Sequence, residues 1–566
     1  MKFHLNITSI CNYFFVGPEN AFQITGLKIT FLLHLELQVH PNIPDFNILW
    51  TGAHPKPHLL RTLAPYQRVN HFPRSYELTR KDRLYKNIEK MQMLKGIRHF
   101  DFIPQTFVMP GDYRELCSAH HRLRAPWIVK PVASSRGRGI FIVNCVPMEE
   151  CVVARYIEDP LLVGGHKCDL RLYVLVTSVD PLLIYMYEEG LVRFATVKYD
   201  SSRAHLWNPC MHLCNYSINK YHSDYIKSED PSAEDFGHKW TLSALLRHLR
   251  ANGIGDTAVL MQHIEEVVVK AILASIPPMV SATRLLAPHP HNCFELFGFD
   301  ILIDSSLKPW LLEVNLSPSL GCDSPLDVRV KSAMLTDLLT LVGIPAVDPM
   351  ARRCTDAGRK SSQGKTPSRT SSLDVSPSKG ATARLKKSTC RRAQSSDTLP
   401  RKNSNINSRL AASASSLSSE ESRMVRDIRA EFERRGGFVR IFPSADSWCR
   451  YRGFLDPITG ITLTAPSVPP SIFPYTGSKT NLNLLLHQQL FPNAESDKGS
   501  SPKDPTSSRM KKVLSRYERA LFSGYGAALS VDLESGKQDV GEGDEVVELA
   551  ALKEEIRKLL EKGSKL

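Results

Sequence analysis

Two carboxylates and one amide stand at spacings that would let them share a divalent cation. Two apolar runs, Phe294–Asp304 and Pro309–Asn315, flank a four-residue polar loop, the pattern of an antiparallel hairpin. With Asp304 opposite Pro309, Asp300 falls opposite Glu313. Asn315 lies two residues further on the same face, because strand side chains alternate. Burying two carboxylates without compensation costs roughly several kcal/mol. A divalent cation offsets that cost, and an oxygen-only donor set suits Mg²⁺ held together with phosphates and water. The alternative is that Asp300 caps a turn and Glu313 sits in a salt bridge. The Asn315–Pro318 stretch and the phosphate-binding elements upstream favour the cation.

Those elements begin at Lys130, which ends the apolar run Trp127–Val129 and precedes a loop with Arg136, Gly137, Arg138 and Gly139. A lysine leaving a buried strand can set its ammonium on a phosphate as a point charge. The two glycines would let backbone N–H groups approach phosphate oxygens. The spacing is neither that of a P-loop nor that of a dinucleotide fingerprint. Lys167, Asp169 and Arg171 open the next apolar run on one face, either as a salt-bridge ladder or as a charged floor beneath a nucleotide and an acyl-phosphate. Arg193, a cation inside the apolar stretch Leu191–Thr196, is either a surface-facing edge residue or part of the same site.

Positioning these groups requires strands at Trp127–Lys130 and Leu170–Thr177, a long helix over Thr257–Ile276, and a helix capped by Ser324 and Pro325 that ends at Gly343. The capped helix turns Val330, Met334, Leu338 and Leu341 to a core. Irregular alternation of helix and strand gives an α+β class. Beyond residue 346, Ser, Thr, Lys, Arg and Pro displace large apolar residues, so disorder is expected to about residue 420. A helix carrying Val425, Ile428 and Phe432, stopped by Gly436 and Gly437, then a short strand Phe438–Phe442 and a terminal helix near Glu545–Lys562, are expected after it.

The formal charge is +14 over 566 residues. Residues 351–409 hold 15 basic and 3 acidic side chains, a net +12, leaving about +2 for the rest (14 − 12). A basic segment beside a near-neutral body points to a polyanionic partner. The 12 cysteines form no C-x-x-C pair, which argues for a reducing compartment and against a zinc module or disulfide scaffold. No run approaches 18 apolar residues, so no membrane span is expected.

Six collinear blocks, Phe72–Asp82, Trp127–Ile140, Lys167–Val176, Tyr187–Val197, Met211–Lys220 and Phe294–Leu320, together resemble the tubulin tyrosine ligase-like family. Arg423–Phe442 is similar to the C-terminal cationic microtubule-binding segment of its glutamylases. Cys210 and Cys214 depart from the residues usual there, as does Ala154-Arg155. The resemblance implies an ATP-grasp fold, two α+β lobes around ATP, followed by a mostly disordered basic region with short helices. It assigns Lys130, Arg136, Gly137, Arg155, Tyr156, Ile157, Lys167, Asp169, Asn215 and Tyr216 to ATP. Asp300, Glu313 and Asn315 go to Mg²⁺. Arg193, Ser217, Lys239 and Asn315 go to the incoming glutamate, and Lys130, Arg171 and Glu313 to catalysis. The implied activity is ATP-dependent addition of free L-glutamate to glutamate side chains of tubulin tails through an acyl-phosphate. A glycine ligase or a non-catalytic microtubule-binding protein are the alternatives. A monomer, in the cytoplasm on microtubules, with no specific nucleic acid and no membrane, is the expected setting. The expected divisions are an atypical N-terminal start (1–50), the catalytic domain (51–345), a basic linker (346–420), the cationic segment (421–500) and a tail (501–566).

Overall fold

The computed structural model describes residues 46–132, 137–144, 147, 149–230, 232–345, 417–459 and 481–492, and the backbone of two strands before them. Those two, β1 (Tyr13–Val16) and β2 (Gln38–Val39), join β3 (Ile48–Trp50) and β4 (Arg68–Val69) in a parallel sheet of order β2-β1-β3-β4. Because β3 pairs with β4, the division expected at residue 50 runs through a sheet.

A second, antiparallel sheet has the order β5-β8-β6-β7, from β5 (Thr106–Val108), β6 (Trp127–Lys130), β7 (Phe141–Val143) and β8 (Val152–Arg155). The third sheet is built on β10 (His166–Val179), an apolar run buried along nearly its whole length. Its first residues pair with β9 (Leu162–Val163). One edge is then shared between β12 (Leu191–Phe194) and β11 (Leu182–Tyr187), and the other is taken by β14 (Glu295–Ile303). Outside these lie β13 (Lys239–Thr241) on β12, β15 (Pro309–Asn315) on β14, and β16 (Phe438–Phe442) on β11. Mixed helices and sheets of this kind fit the α+β expectation.

The helix expected over Thr257–Ile276 runs to Leu286, straight through Pro277 and Pro278. An interior proline costs about 3 kcal/mol in an isolated helix. Here Met279, Val280 and Ala282 continue the buried face, so packing outweighs that penalty. The helix Pro325–Val342 begins and ends as its residues dictate. Ser324 accepts from the Asp327 amide, and Gly343 adopts a left-handed φ of 63°.

The C-terminal segment does not stand apart from the rest of the fold. The helix Ser419–Glu433 buries Val425 and Ile428 in the cluster that holds Tyr185, Met334 and Leu338. It opens with a capping box of Ser418 and Glu421, and β16 extends the central sheet. Helices Ser447–Thr459 and Leu482–Leu490 follow it, where no element was expected. The expected disordered linker, apart from its last residues at 417–420, and the expected helix near Glu545–Lys562 lie outside the described residues. Among the described residues no helix is long and apolar enough to cross a membrane.

Candidate active site

Register turns separate motifs into one row. On the central sheet Lys239 pairs with Arg193, Arg193 with Asp169, Arg171 with Asp300, and Asp300 with Glu313. Directly opposed residues share a face, so charged side chains from β13, β12, β10, β14 and β15 cross the sheet in line. The hairpin reaches its pairing by a route the sequence did not show. Ile303, not Asp304, lies opposite Pro309, and an irregularity between Asp300 and Ile301 restores the Asp300–Glu313 pair. A bulge adds one residue to one strand and redirects the chain. Here the extra residue is Leu312, and its carbonyl accepts from Lys130 Nζ at 3.3 Å and from the Tyr85 hydroxyl at 3.1 Å.

The row is ion-paired across strands rather than along one strand. Arg171 Nε and Nη2 donate to the two Asp300 oxygens at 2.6 and 3.0 Å. Arg193 Nε and Nη2 donate to Asp169 at 2.7 and 2.8 Å, and Nη2 reaches Asp300 Oδ2 at 3.0 Å. Lys81 pairs with Glu313 at 3.0 Å. Asn315 Nδ2 lies 3.4 Å from Asp300 and 3.5 Å from Glu313. Burial alone would raise the Asp300 carboxyl. The charges and hydrogen bonds of Arg171 and Arg193 outweigh it and hold the group well below the usual carboxylate range.

Opposite this row, across a cleft of about 690 Å³, lies the smaller antiparallel sheet. Ile128, Lys130, Ile140, Arg155, Tyr156 and Ile157 line one side, and Lys167, Asp169, Arg193, Asp300 and Glu313 the other, with His212–Asn215 closing one end. Tyr156 and Ile157 lie just past β8, which ends at Arg155, rather than within a strand. Lys130 and Lys167 are buried and, among the described residues, make no ion pair. Lys167 Nζ instead donates to the Tyr156 hydroxyl at 2.9 Å and sits 4.4 Å from the ring centroid. Burial pushes both ammonium groups below the ordinary lysine range. Gly137 has φ 71°, and a Cβ there would lie 2.7 Å from Ile218 Cδ1 and 3.1 Å from the Asn215 side chain. Only glycine fits so close an approach.

Not every expected residue gathers at this cleft. Tyr216 lines a separate cavity of about 250 Å³ with Tyr225, Lys227, Lys239, Asp323 and Ser324. Lys239 pairs there with Asp327 at 2.6 Å and lies 4.5 Å from the centre of the Tyr216 ring. Ser217 is half-buried on the short helix Tyr216–Asn219, outside both linings. Arg171 pairs with Asp300 but is not among the residues that line the cleft. Arg136 lies outside the described residues.

Three contributors went unread in the sequence. Lys81 lies in the Phe72–Asp82 block, where a cation in Arg-Lys-Asp was its only signal. The Leu312 carbonyl had none. His212 accepts from the Tyr156 hydroxyl through Nδ1 at 2.8 Å, with Nε2 3.0 Å from the His205 carbonyl. That arrangement makes it a neutral imidazole, in keeping with a pKa lowered chiefly by burial.

A cleft between two antiparallel sheets, floored by paired carboxylates and walled by buried lysines, fits an ATP-grasp-like fold. The chain belongs to the tubulin-tyrosine ligase family, whose model matches residues 60–351, just over half of it. It is 44% identical over 499 residues to tubulin polyglutamylase TTLL5 of Homo sapiens, an alignment covering 86% of this chain and 36% of that one. It is 40% identical over 443 residues to tubulin polyglutamylase ttll-5 of Caenorhabditis elegans, covering 74% and 59%. It is also 40% identical over 425 residues to tubulin monoglutamylase TTLL4 of Homo sapiens, covering 74% and 34%. The chain thus spans about a third of the human relatives' length and 59% of the nematode relative's.

Proposed function

We propose that the chain is an ATP- and Mg²⁺-dependent ligase that joins free L-glutamate, through an isopeptide bond, to side-chain carboxylates of glutamates in tubulin C-terminal tails. The observation that carries the reading is the charge arrangement of the cleft. Lys130, Arg155, Lys167 and Arg193 line it with Asp169, Asp300 and Glu313, four cations against three carboxylates. Two of the four, Lys130 and Lys167, are buried with no ion pair among the described residues. A polyphosphate supplies the missing negative charge. The relatives' names supply the amino acid and the acceptor.

A carboxylate is a poor electrophile. Transfer of the γ-phosphoryl group of ATP onto the acceptor carboxylate gives an acyl-phosphate. The amine of free glutamate then forms the C–N bond as the C–O bond to phosphate breaks and phosphate leaves. The chain contributes electrostatics and positioning to these steps. Lys130 and Lys167 hold phosphate oxygens, and the Gly137 loop with Arg136 covers them. Arg155, Tyr156, Ile157 and Asn215 seat the nucleotide. Asp300, Glu313 and Asn315 offer two carboxylates and an amide oxygen, an all-oxygen set that fits Mg²⁺. The metal, when bound, neutralises phosphate charge. Arg171 keeps Asp300 ionised and in place. Arg193, Lys239 and Ser217 take the carboxylates of the incoming glutamate, since a guanidinium fork suits a planar carboxylate. Tyr216 belongs to that side rather than to the nucleotide. The +12 segment favours the acidic microtubule surface and a cytoskeletal location.

The test is Glu313→Gln. Incorporation of labelled glutamate into microtubules with ATP should be abolished while thermal melting stays close to that of the parent chain. Undiminished incorporation would remove the metal assignment, and incorporation of glycine in place of glutamate would replace the donor.

A further inference from the structure

The buried Lys167 ammonium rests on one hydroxyl. Among the described residues its Nζ makes a single hydrogen bond, to the Tyr156 oxygen at 2.9 Å. That bond takes a lone pair of the phenol, so the hydroxyl hydrogen must point away from the lysine. His212 receives it. Nε2 of His212 lies 3.0 Å from the His205 carbonyl, which can only accept, so Nε2 carries the imidazole hydrogen. Nδ1 lies 2.8 Å from the Tyr156 oxygen. With no hydrogen between them, that approach would set lone pair against lone pair. A second proton on the ring is opposed by its burial and by the Lys167 charge. The donors therefore run one way, from Lys167 to Tyr156 to His212 to the His205 carbonyl.

This chain crosses the cleft. Lys167 lies in β10 of the central sheet, Tyr156 follows β8 of the smaller sheet, and His212 ends the short helix Pro209–His212. All three are at most 5% exposed, which shields the bonds from water. Neighbouring polar groups are engaged elsewhere. The Tyr199 hydroxyl donates to the Glu158 carbonyl at 2.7 Å, Cys214 Sγ donates to the Lys167 carbonyl at 3.6 Å, and Asp169 pairs with Arg193. Asp200 lies beside His205 at 3.6 Å, and Cys168 and Lys130 are the other titratable groups acting near Lys167.

We propose that His212 is a positioning residue for the nucleotide: it orients the Tyr156 hydroxyl to accept from Lys167, which keeps that ammonium charged and leaves its remaining hydrogens for phosphate oxygens. Without His212 the hydroxyl can turn its hydrogen toward the amine, and that favours neutral lysine. This inference rests on the ligase reading above.

Binding of a fluorescent ATP analogue with Mg²⁺ to the full chain, measured across pH, tests it. Tyr156→Phe removes the hydroxyl and keeps the ring. His212→Phe removes the acceptor, and His212→Asn keeps one near the place of Nδ1. Losing a hydrogen bond to a charged group should weaken binding on the order of tenfold at neutral pH in Tyr156→Phe and His212→Phe. In both, the alkaline loss of affinity should begin at a lower pH than in the parent chain. Titration of the analogue's own phosphates is common to all chains and drops out of the comparison. Tyr156→Phe combined with His212→Phe should bind no more weakly than Tyr156→Phe, since both act through one bond. His212→Asn should recover most of the affinity. Where His212→Phe does not fold, Tyr156→Phe and His212→Asn carry the test. Parent affinity and alkaline limb in either Phe variant, additive losses in the double variant, or no recovery in His212→Asn overturns the inference and leaves the ligase reading intact. Failure of the parent chain itself to bind the analogue at any pH overturns the ligase reading and this inference with it.

Discussion

Lys130 and Lys167 give the cleft opposite pH responses with and without ligand. Their folded-state pKa values are lowered, chiefly by burial. Between the lowered value and the ordinary lysine value of about 10.4 the unfolded chain binds more protons, so the nucleotide-free protein gains stability as pH rises through that window. Nucleotide affinity runs the other way, because a phosphate needs the protonated amines. Binding of a fluorescent ATP analogue should weaken as pH rises, well before an ordinary lysine titrates, while the melting temperature of the free protein climbs. A flat affinity to about pH 10 would mean that neither ammonium touches phosphate. At this scale the chemistry was legible from residue types, but contacts were not. Asp300 and Glu313 could be paired from strand alternation, yet the bulge at Leu312 that makes the pairing work leaves no mark in composition. Nor could alternation along β10 show that Arg193 would bridge Asp169 and Asp300, because that depends on which strands lie beside it.

Elements were legible where local periodicity and packing agree. The helix from Pro325 to Gly343 carries its own cap, stripe and stop, and the β14–β15 hairpin carries its own loop. The helix through Pro277 and Pro278 and the docking of the C-terminal segment were not legible, since both are decided by partners distant in sequence. Glu431, buried on the helix Ser419–Glu433, donates no charge to solvent. It accepts from Thr177 of β10 at 2.8 Å. This docking makes residues 419–442 part of the same fold as the cleft. Ile428→Ala, which leaves a void beneath the central sheet, should cost about 2–5 kcal/mol and lower the melting temperature. Truncation before Ser419 should uncover the edge of β11 and yield aggregated protein. A soluble truncated chain with the parent melting temperature would show that the helix and β16 are accessory. Microtubule binding therefore cannot be judged from a deletion that reaches residue 440, because such a deletion also removes a strand.

At the scale of the molecule, charge is segregated. The body is close to neutral, and its cleft keeps its cations behind paired carboxylates. The excess of +12 lies in residues 351–409. Exposed charges act over a Debye length of about 8 Å at physiological salt, so this segment should govern how often the chain meets a polyanionic lattice and not how the cleft performs chemistry. The two roles separate in a variant with the 15 basic residues of 351–409 replaced by glutamine and serine, leaving residues 417–459 untouched. Co-sedimentation with microtubules at low salt should weaken on the order of tenfold and lose most of its salt dependence, while glutamylation of a short acidic peptide free in solution should stay at the parent rate. A parallel fall on the peptide would place the segment at the cleft. An unchanged salt slope would move the electrostatic attraction to the exposed Arg423, Arg426 and Arg429 of the helix Ser419–Glu433. That helix is fastened to the central sheet's core, and recruitment would then be set by the same packing that holds the sheet together.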